Sequence, residues 1–155
     1  MIQNLDNIDK KILALLQKNG QLSVKEVASQ INLSVTPTYE RIKRLEKNGI
    51  ISKYIAILNK EKIDKGLTVF CNVVLKENNQ TLLKEFEAST KLIDEIMEVH
   101  CMSGVYDYLI KVVVSDMKAY HDFVMTKLSS LKNIQNLQSS FVLNEVKYET
   151  CYNLQ

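Results

Sequence analysis

The densest set of groups able to do chemistry lies between Ser34 and Lys53. Stepping 100° per residue from Thr36 puts Thr36, Glu40, Lys43 and Lys47 on one side of a helix, with Tyr39 and Arg44 flanking them. Val35, Thr38, Ile42 and Leu45 gather on the opposite side. Cations in a row along an exposed helix face suit the phosphates of a polyanion. Hydroxyl, phenol and carboxylate groups near the start of such a helix can instead meet base edges. Double-stranded DNA is therefore the expected partner. Thr36, Thr38, Tyr39 and Glu40 are the expected base readers, with Glu40 accepting from a cytosine amino group. Lys43, Arg44, Lys47 and Lys53 are expected on phosphates, where they set affinity and salt dependence.

Other chemistry is thinly represented. Cys71, Cys101 and Cys151 are widely spaced and contain no CxxC, so they read as small buried hydrophobes rather than metal ligands or a redox pair. The two histidines, His100 and His121, fall in a strand and a helix and read as structural or surface residues. No Ser-His-Asp set, paired carboxylates or metal-spaced ligands stand out. The expectation is a protein that is not an enzyme and holds neither a cofactor nor a metal.

A basic helix face is most often only a solvated surface, so the elements around it must decide. Ile8, Ile12, Leu15 and Leu16 share one face of a first helix, with Asp6 as N-cap and Asn19-Gly20 as its stop. Ser23 and Glu26 have capping-box spacing and open a short second helix with Val27, Ala28 and Ile31. Asn32 ends it, because Asn tolerates the left-handed conformation. Ser34 or Thr36 caps the third helix, Pro37 falls in its first turn and Gly49 closes it. Two helices joined by so short a turn form a helix-turn-helix, whose second helix can enter a major groove. The stretch from Ile50 to Leu58 is β-rich and reads as a wing or as a strand leading out.

From Leu67 the apolar period switches to two. Strands are expected at 67–75, 96–102, 108–114 and about 137–147, with helices at 81–90 and 117–131. The order β-α-β-β-α-β is that of a ferredoxin-like sandwich, one antiparallel sheet with two helices on one face. The Val- and Ile-rich strands leave little of the other face polar, so a second subunit is expected to cover it. The domains read as 1–59 for helix-turn-helix, 60–66 for a charged linker and 67–155 for the α+β sandwich.

Bulk properties agree with this division. Of 155 residues 46% are apolar, enough for a core, and one Pro with four Gly leaves little room for disordered linkers. No apolar run is long enough for a membrane span and Met1 to Asp6 lack a signal-peptide pattern, so a cytoplasmic protein is expected. Residues 1–59 hold nine bases against five acids, a net +4, whereas the remainder has eleven Lys against thirteen acids, a net −2. That segregation suits a chain in which one part meets a polyanion.

Three stretches together carry a family resemblance. Leu5-Asp6-Asn7-Ile8-Asp9-Lys10-Lys11-Ile12-Leu13 resembles the opening of the leucine-responsive regulatory protein and asparagine-synthase regulator family, the feast/famine regulators. The stretch from Leu33 to Ile51 resembles its recognition helix and following turn. Ser103-Gly104-Val105-Tyr106-Asp107-Tyr108-Leu109 is similar to its Gly-x-x-Asp loop between the central strands. The resemblance spans essentially the whole chain. It implies a transcription regulator with a winged helix-turn-helix, dimerised sheet to sheet and assembled into tetramers, octamers or larger. It also implies a small effector, typically an amino acid, bound between subunits. Ser103, Gly104, Tyr106 and Asp107 match the loop lining that site, and Ser139 matches a Thr or Ser from the last strand. Leu137 stands where the family commonly has a second Thr, and Asn32 where it usually has Gly. From the residues alone, Gly104 permits a turn and a close ligand approach. Asp107 can accept from an ammonium group or from backbone N–H groups of its own turn, as in a plain hairpin connection. Two competing readings are a metabolite-sensing or assembly module without DNA binding, and an enzyme like the haem-precursor decarboxylases with this domain order.

Overall fold

A computed structural model describes residues 5–154. The chain divides into two units. One takes the described residues up to Ile57 together with those from Lys147 onward; the other is Leu58–Val146.

The first unit is built on three helices, α1 (Asn7–Lys18), α2 (Val24–Ile31) and α3 (Val35–Lys47). The starts of α1 and α2 are set by local chemistry. Asp6 accepts from the backbone N–H groups of Ile8 and Asp9, and Asp9 reaches back to the Asp6 N–H, closing a capping box. Ser23 and Glu26 close the expected one on α2. Asn32 ends α2 at φ 57° and ψ 46°, the left-handed conformation anticipated from its residue type. Ser34 is the N-cap of α3 but makes no side-chain cap hydrogen bond. Ile12, Leu13, Leu16, Val27, Ile42 and Leu45 form the buried core joining the three helices. The stretch after Gly49 forms no strand: residues 52–59 run without regular structure, and Tyr54, Ile55, Ile57 and Leu58 are exposed. The β-propensity of this stretch is not realised because no partner strand lies beside it among the described residues.

The second unit has one antiparallel sheet in the order β2-β3-β1-β4, from β1 (Leu67–Leu75), β2 (Ile96–Cys101), β3 (Tyr108–Val114) and β4 (Ile134–Phe141). Helices α4 (Gln80–Thr90) and α5 (Met117–Thr126) supply Phe86, Tyr120 and Phe123 to a core with Val69, Cys71, Val73, Tyr108, Ile110 and Val112. The β-α-β-β-α-β order is therefore realised. The register gives the second face rows Glu98–Lys111–Phe70–Ser140 and His100–Leu109–Asn72–Gln138. That face is more polar than the apolar counts suggested, because alternation directs most of the Val and Ile toward the helices.

Several boundaries differ from the sequence reading. The last helix stops at Thr126 and yields to a 3-10 turn, Leu128–Ser130. The last strand begins earlier, after left-handed Asn133, and ends at Phe141 rather than near Lys147. The expected linker contains a 3-10 turn, Glu61–Ile63, and belongs to the second unit. Residues 147–154, expected in the sandwich domain, make contacts with α1 and group with the helical unit. The Gln17 side chain donates to the Tyr152 carbonyl at 3.2 Å and accepts from the Tyr152 N–H at 2.7 Å, and Leu154 packs on the helical core. No helix among the described residues is long and apolar enough to cross a membrane.

Candidate nucleic-acid interface and effector loop

Helix α3 carries most of the expected DNA-contacting residues, and its burial pattern sorts them. Thr36, Tyr39, Glu40, Lys43, Arg44 and Lys47 are all exposed, as is Lys53 beyond the helix. Thr38 is not: it is 0% exposed, and its hydroxyl donates to the Ser34 carbonyl at 2.9 Å. A side chain so enclosed cannot reach a base edge, which removes Thr38 from the readers. The helical wheel had already put it on the inner side, and the back-bonded hydroxyl lets a polar residue occupy the core. Val35, on that same side of the wheel, is 48% exposed. As the first residue of α3 it lies beyond the reach of the helices that cover Thr38, Ile42 and Leu45.

The cations are not equivalent. Asp9, 4% exposed at its side chain, anchors two of them from α1. Arg44 Nη2 lies 2.8 Å from both Asp9 oxygens, and Arg41 Nη1 bridges Asp9 Oδ1 at 2.8 Å and Asp6 Oδ2 at 2.6 Å. The Asp6 carboxyl sits below its ordinary range because the Asp9 N–H and the Arg41 guanidinium stabilise its charge. A buried carboxylate requires such partners, and in exchange it fixes α3 against α1. Lys43 pairs with Glu46 at 2.7 Å, which raises its pKa, and its ammonium lies 5.8 Å from the Tyr39 ring centroid. Lys47 and Lys53 make no ion pair among the described residues. Arg44 is thus shared between an internal carboxylate and the surface, while Lys47 is a free surface charge. Composition and spacing could not reveal this, because Asp9 lies in another helix.

The second candidate region is the β2–β3 loop. Gly104 has φ +145°, where side-chain-bearing residues are strained, and Ser103, Gly104 and Val105 are exposed. Asp107 is half-buried. Its carboxylate accepts from the Leu75 N–H at 2.7 Å and from Asn78 Nδ2 at 3.0 Å. These donors come from the end of β1 and the residues after it, not from the turn of Asp107 itself. The Tyr106 hydroxyl donates to Gln138 Oε1 at 2.5 Å on the second face of the sheet. Ser139 points the other way. Its Oγ lies 2.5 Å from the Tyr120 hydroxyl, and Cys71 Sγ is 3.9 Å away. Burial and the Cys71 contact push the Tyr120 phenol up to about 12. Within one chain the structure therefore brings Ser103, Gly104, Tyr106 and Asp107 together, with Gln138 added, and leaves Ser139 on the helix side. Nothing in the residue pattern marks Gln138, because its place beside Tyr106 follows from strand register alone.

The remaining candidates separate simply. Cys71 is buried, as expected, but Cys101 is exposed and Cys151 half-buried. His100 pairs with Glu98 on the sheet, and His121 is exposed on α5. Among the described residues no group of three His, Cys, Asp or Glu is placed to hold a metal.

Comparison with known proteins matches this arrangement on both units. A family profile described as the Lrp/AsnC ligand binding domain matches residues 68–151, and one described as winged helix-turn-helix DNA-binding matches residues 5–52. The chain belongs to the Lrp/AsnC family. It is a DNA-binding transcription regulator. It is 41% identical over 143 residues to the leucine-responsive regulatory protein of Haemophilus influenzae, covering 92% of this chain and 86% of that protein. It is 38% identical over 146 residues to the DNA-binding transcriptional activator DecR of Escherichia coli, covering 94% and 96%. The crystal structure of a transcriptional regulator in complex with L-Met from Neisseria meningitidis superposes with a TM-score of 0.93 at 36% identity, over 97% of both chains. For this Lrp/AsnC regulator the helix-turn-helix and the ferredoxin-like sheet are thus the DNA-binding and ligand-binding domains that the family profiles describe.

Proposed function

We propose that this regulator reads DNA through the exposed face of α3 and is controlled by an amino acid, or a related small metabolite, held at the loop Ser103–Asp107 between subunits. Thr36, Tyr39 and Glu40 face the bases, and Lys43, Arg44, Lys47 and Lys53 hold phosphates. The observation that carries the effector reading is the loop itself. It combines a side-chain-free Gly104 at φ +145°, exposed Ser103, a Tyr106–Gln138 hydrogen bond and the Asp107 carboxylate at one end of the sheet. The L-Met complex of the meningococcal regulator supports an amino acid as the class of ligand. The α-ammonium group would meet Asp107 and the carboxylate the exposed backbone N–H groups near Gly104. Ser139, turned to Tyr120 in its own chain, contributes only if the Tyr120 hydroxyl releases it. The assembly is a homodimer that extends to tetramers, octamers or larger, so that two or more recognition helices meet successive half-sites. Its chemistry is binding rather than catalysis, and its place of action is the cytoplasm.

A thermal-shift screen against the twenty amino acids tests the effector. A ligand at about a hundred times its dissociation constant stabilises by about 2.7 kcal/mol, a rise of several degrees. Because Asp107 also ties the loop to Leu75 and Asn78, Asp107→Ala lowers the ligand-free midpoint as well. Abolition of the ligand-dependent increment, not the lower baseline, is the expected result. An undiminished increment in that variant places the ligand elsewhere.

A further inference from the structure

Val35 and Tyr39 are the large apolar side chains exposed on α3, at 48% and 49%. They stand one helical turn apart and are neighbours on a single ridge. The next residue along that ridge is Lys43, whose ammonium lies 5.8 Å from the Tyr39 ring centroid, and after it comes exposed Lys47. The ridge passes from apolar at the leading end of the helix to cationic at its trailing end. Phosphate contact alone has no use for an isopropyl group and an aromatic ring at that leading end. A β-branched first-turn residue gains nothing from solvent either. The apolar group that a major groove offers is the C5-methyl of thymine, and Lys43 and Lys47 supply the charge that draws the ridge to the backbone.

We propose that Val35 and the Tyr39 ring form a methyl-reading edge of the recognition helix, which takes the C5-methyl group of a base in the major groove, specifically that of a thymine in each half-site. This inference rests on α3 being the DNA-contacting helix. It assigns Val35, placed on the inner side by the helical wheel, as a determinant of sequence specificity.

Full-length protein would first select duplexes from a random pool, and each thymine of the recovered site would then be replaced in turn by deoxyuridine, which lacks only the methyl group. Burial of one methyl predicts about fourfold weaker binding at one thymine per half-site. Val35→Ala should reduce that penalty at the same position. Val35→Thr, which exchanges a methyl for a hydroxyl at nearly constant shape, serves if the alanine variant fails to fold. A cytosine at the same position should bind weakly and 5-methylcytosine should recover part of the loss. Recovery beyond the thymine duplex would make a methylated cytosine the preferred base and overturn the thymine assignment. Sequence selection with no deoxyuridine penalty, or a penalty undiminished in the Val35 variants, overturns the methyl-reading edge alone. Binding to no duplex overturns both the edge and the role of α3.

Discussion

At the scale of the residue, the important distinction is between cations that serve the fold and cations that are free. Arg44 neutralises a buried carboxylate and faces solvent with the rest of its guanidinium; Lys47 does only the second. Arg44→Ala should therefore lower the slope of log affinity against log salt by about one and also reduce the thermal midpoint, since Asp9 keeps only Arg41. Lys47→Ala should lower the slope by a similar amount with the midpoint unchanged. Salt titrations of DNA binding paired with thermal melts check both. Equal midpoints for the two variants would mean that the Asp9–Arg44 pair contributes nothing to stability. The same distinction explains Thr38, a hydroxyl of reader type that is spent on the Ser34 carbonyl.

At the scale of the element, the capping boxes that start α1 and α2 depend on carboxylates. Hydrogen bonds from the Ser23 side chain, then its backbone N–H, hold the Glu26 carboxyl below its ordinary 4.5. A depressed folded-state pKa stabilises the fold above the unfolded value and is lost as pH falls through the folded one. The helix-turn-helix should accordingly lose stability below about pH 4.5, and Glu26→Gln should flatten that acid limb of the melting profile. Thermal melts from neutrality down to about pH 3 measure it. An acid limb as steep in the variant as in the parent would assign it to other groups, of which Asp6, also depressed by the Asp9 N–H and Arg41, is the first to examine.

At the scale of the whole molecule, the DNA-binding unit is discontinuous in sequence. Its three helices come from the start of the chain, but residues 147–154 return to α1 after the sheet is complete. The two Gln17–Tyr152 hydrogen bonds and the partial burial of Leu154 together contribute on the order of 2 kcal/mol. Truncation after Val146 should therefore raise amide hydrogen exchange in α1 while leaving β1 and β3 protected. Unchanged protection of α1 would show that the tail only lies against the unit without stabilising it.

The sequence alone determined what local rules govern. Asp6, Ser23–Glu26 and Asn32 mark helix ends through bonds to their own neighbours, and alternation in Val69, Cys71 and Val73 marks a strand whichever strand it pairs with. That Ser103 to Asp107 form a loop between strands was legible because they are contiguous and Gly104 permits a backbone conformation other residues resist. What the tertiary structure decided are the relations between distant residues. Among these are the capture of Arg44 by Asp9, the placing of Gln138 beside Tyr106, the turning of Ser139 toward Tyr120, and the exchange of Val35 for Thr38 at the surface of α3. A helical wheel assigns direction but not coverage, and burial depends on which neighbouring element extends far enough to enclose a side chain. The tail on α1 belongs to the same class, because two hydrogen bonds across 135 residues leave no periodic trace in the sequence.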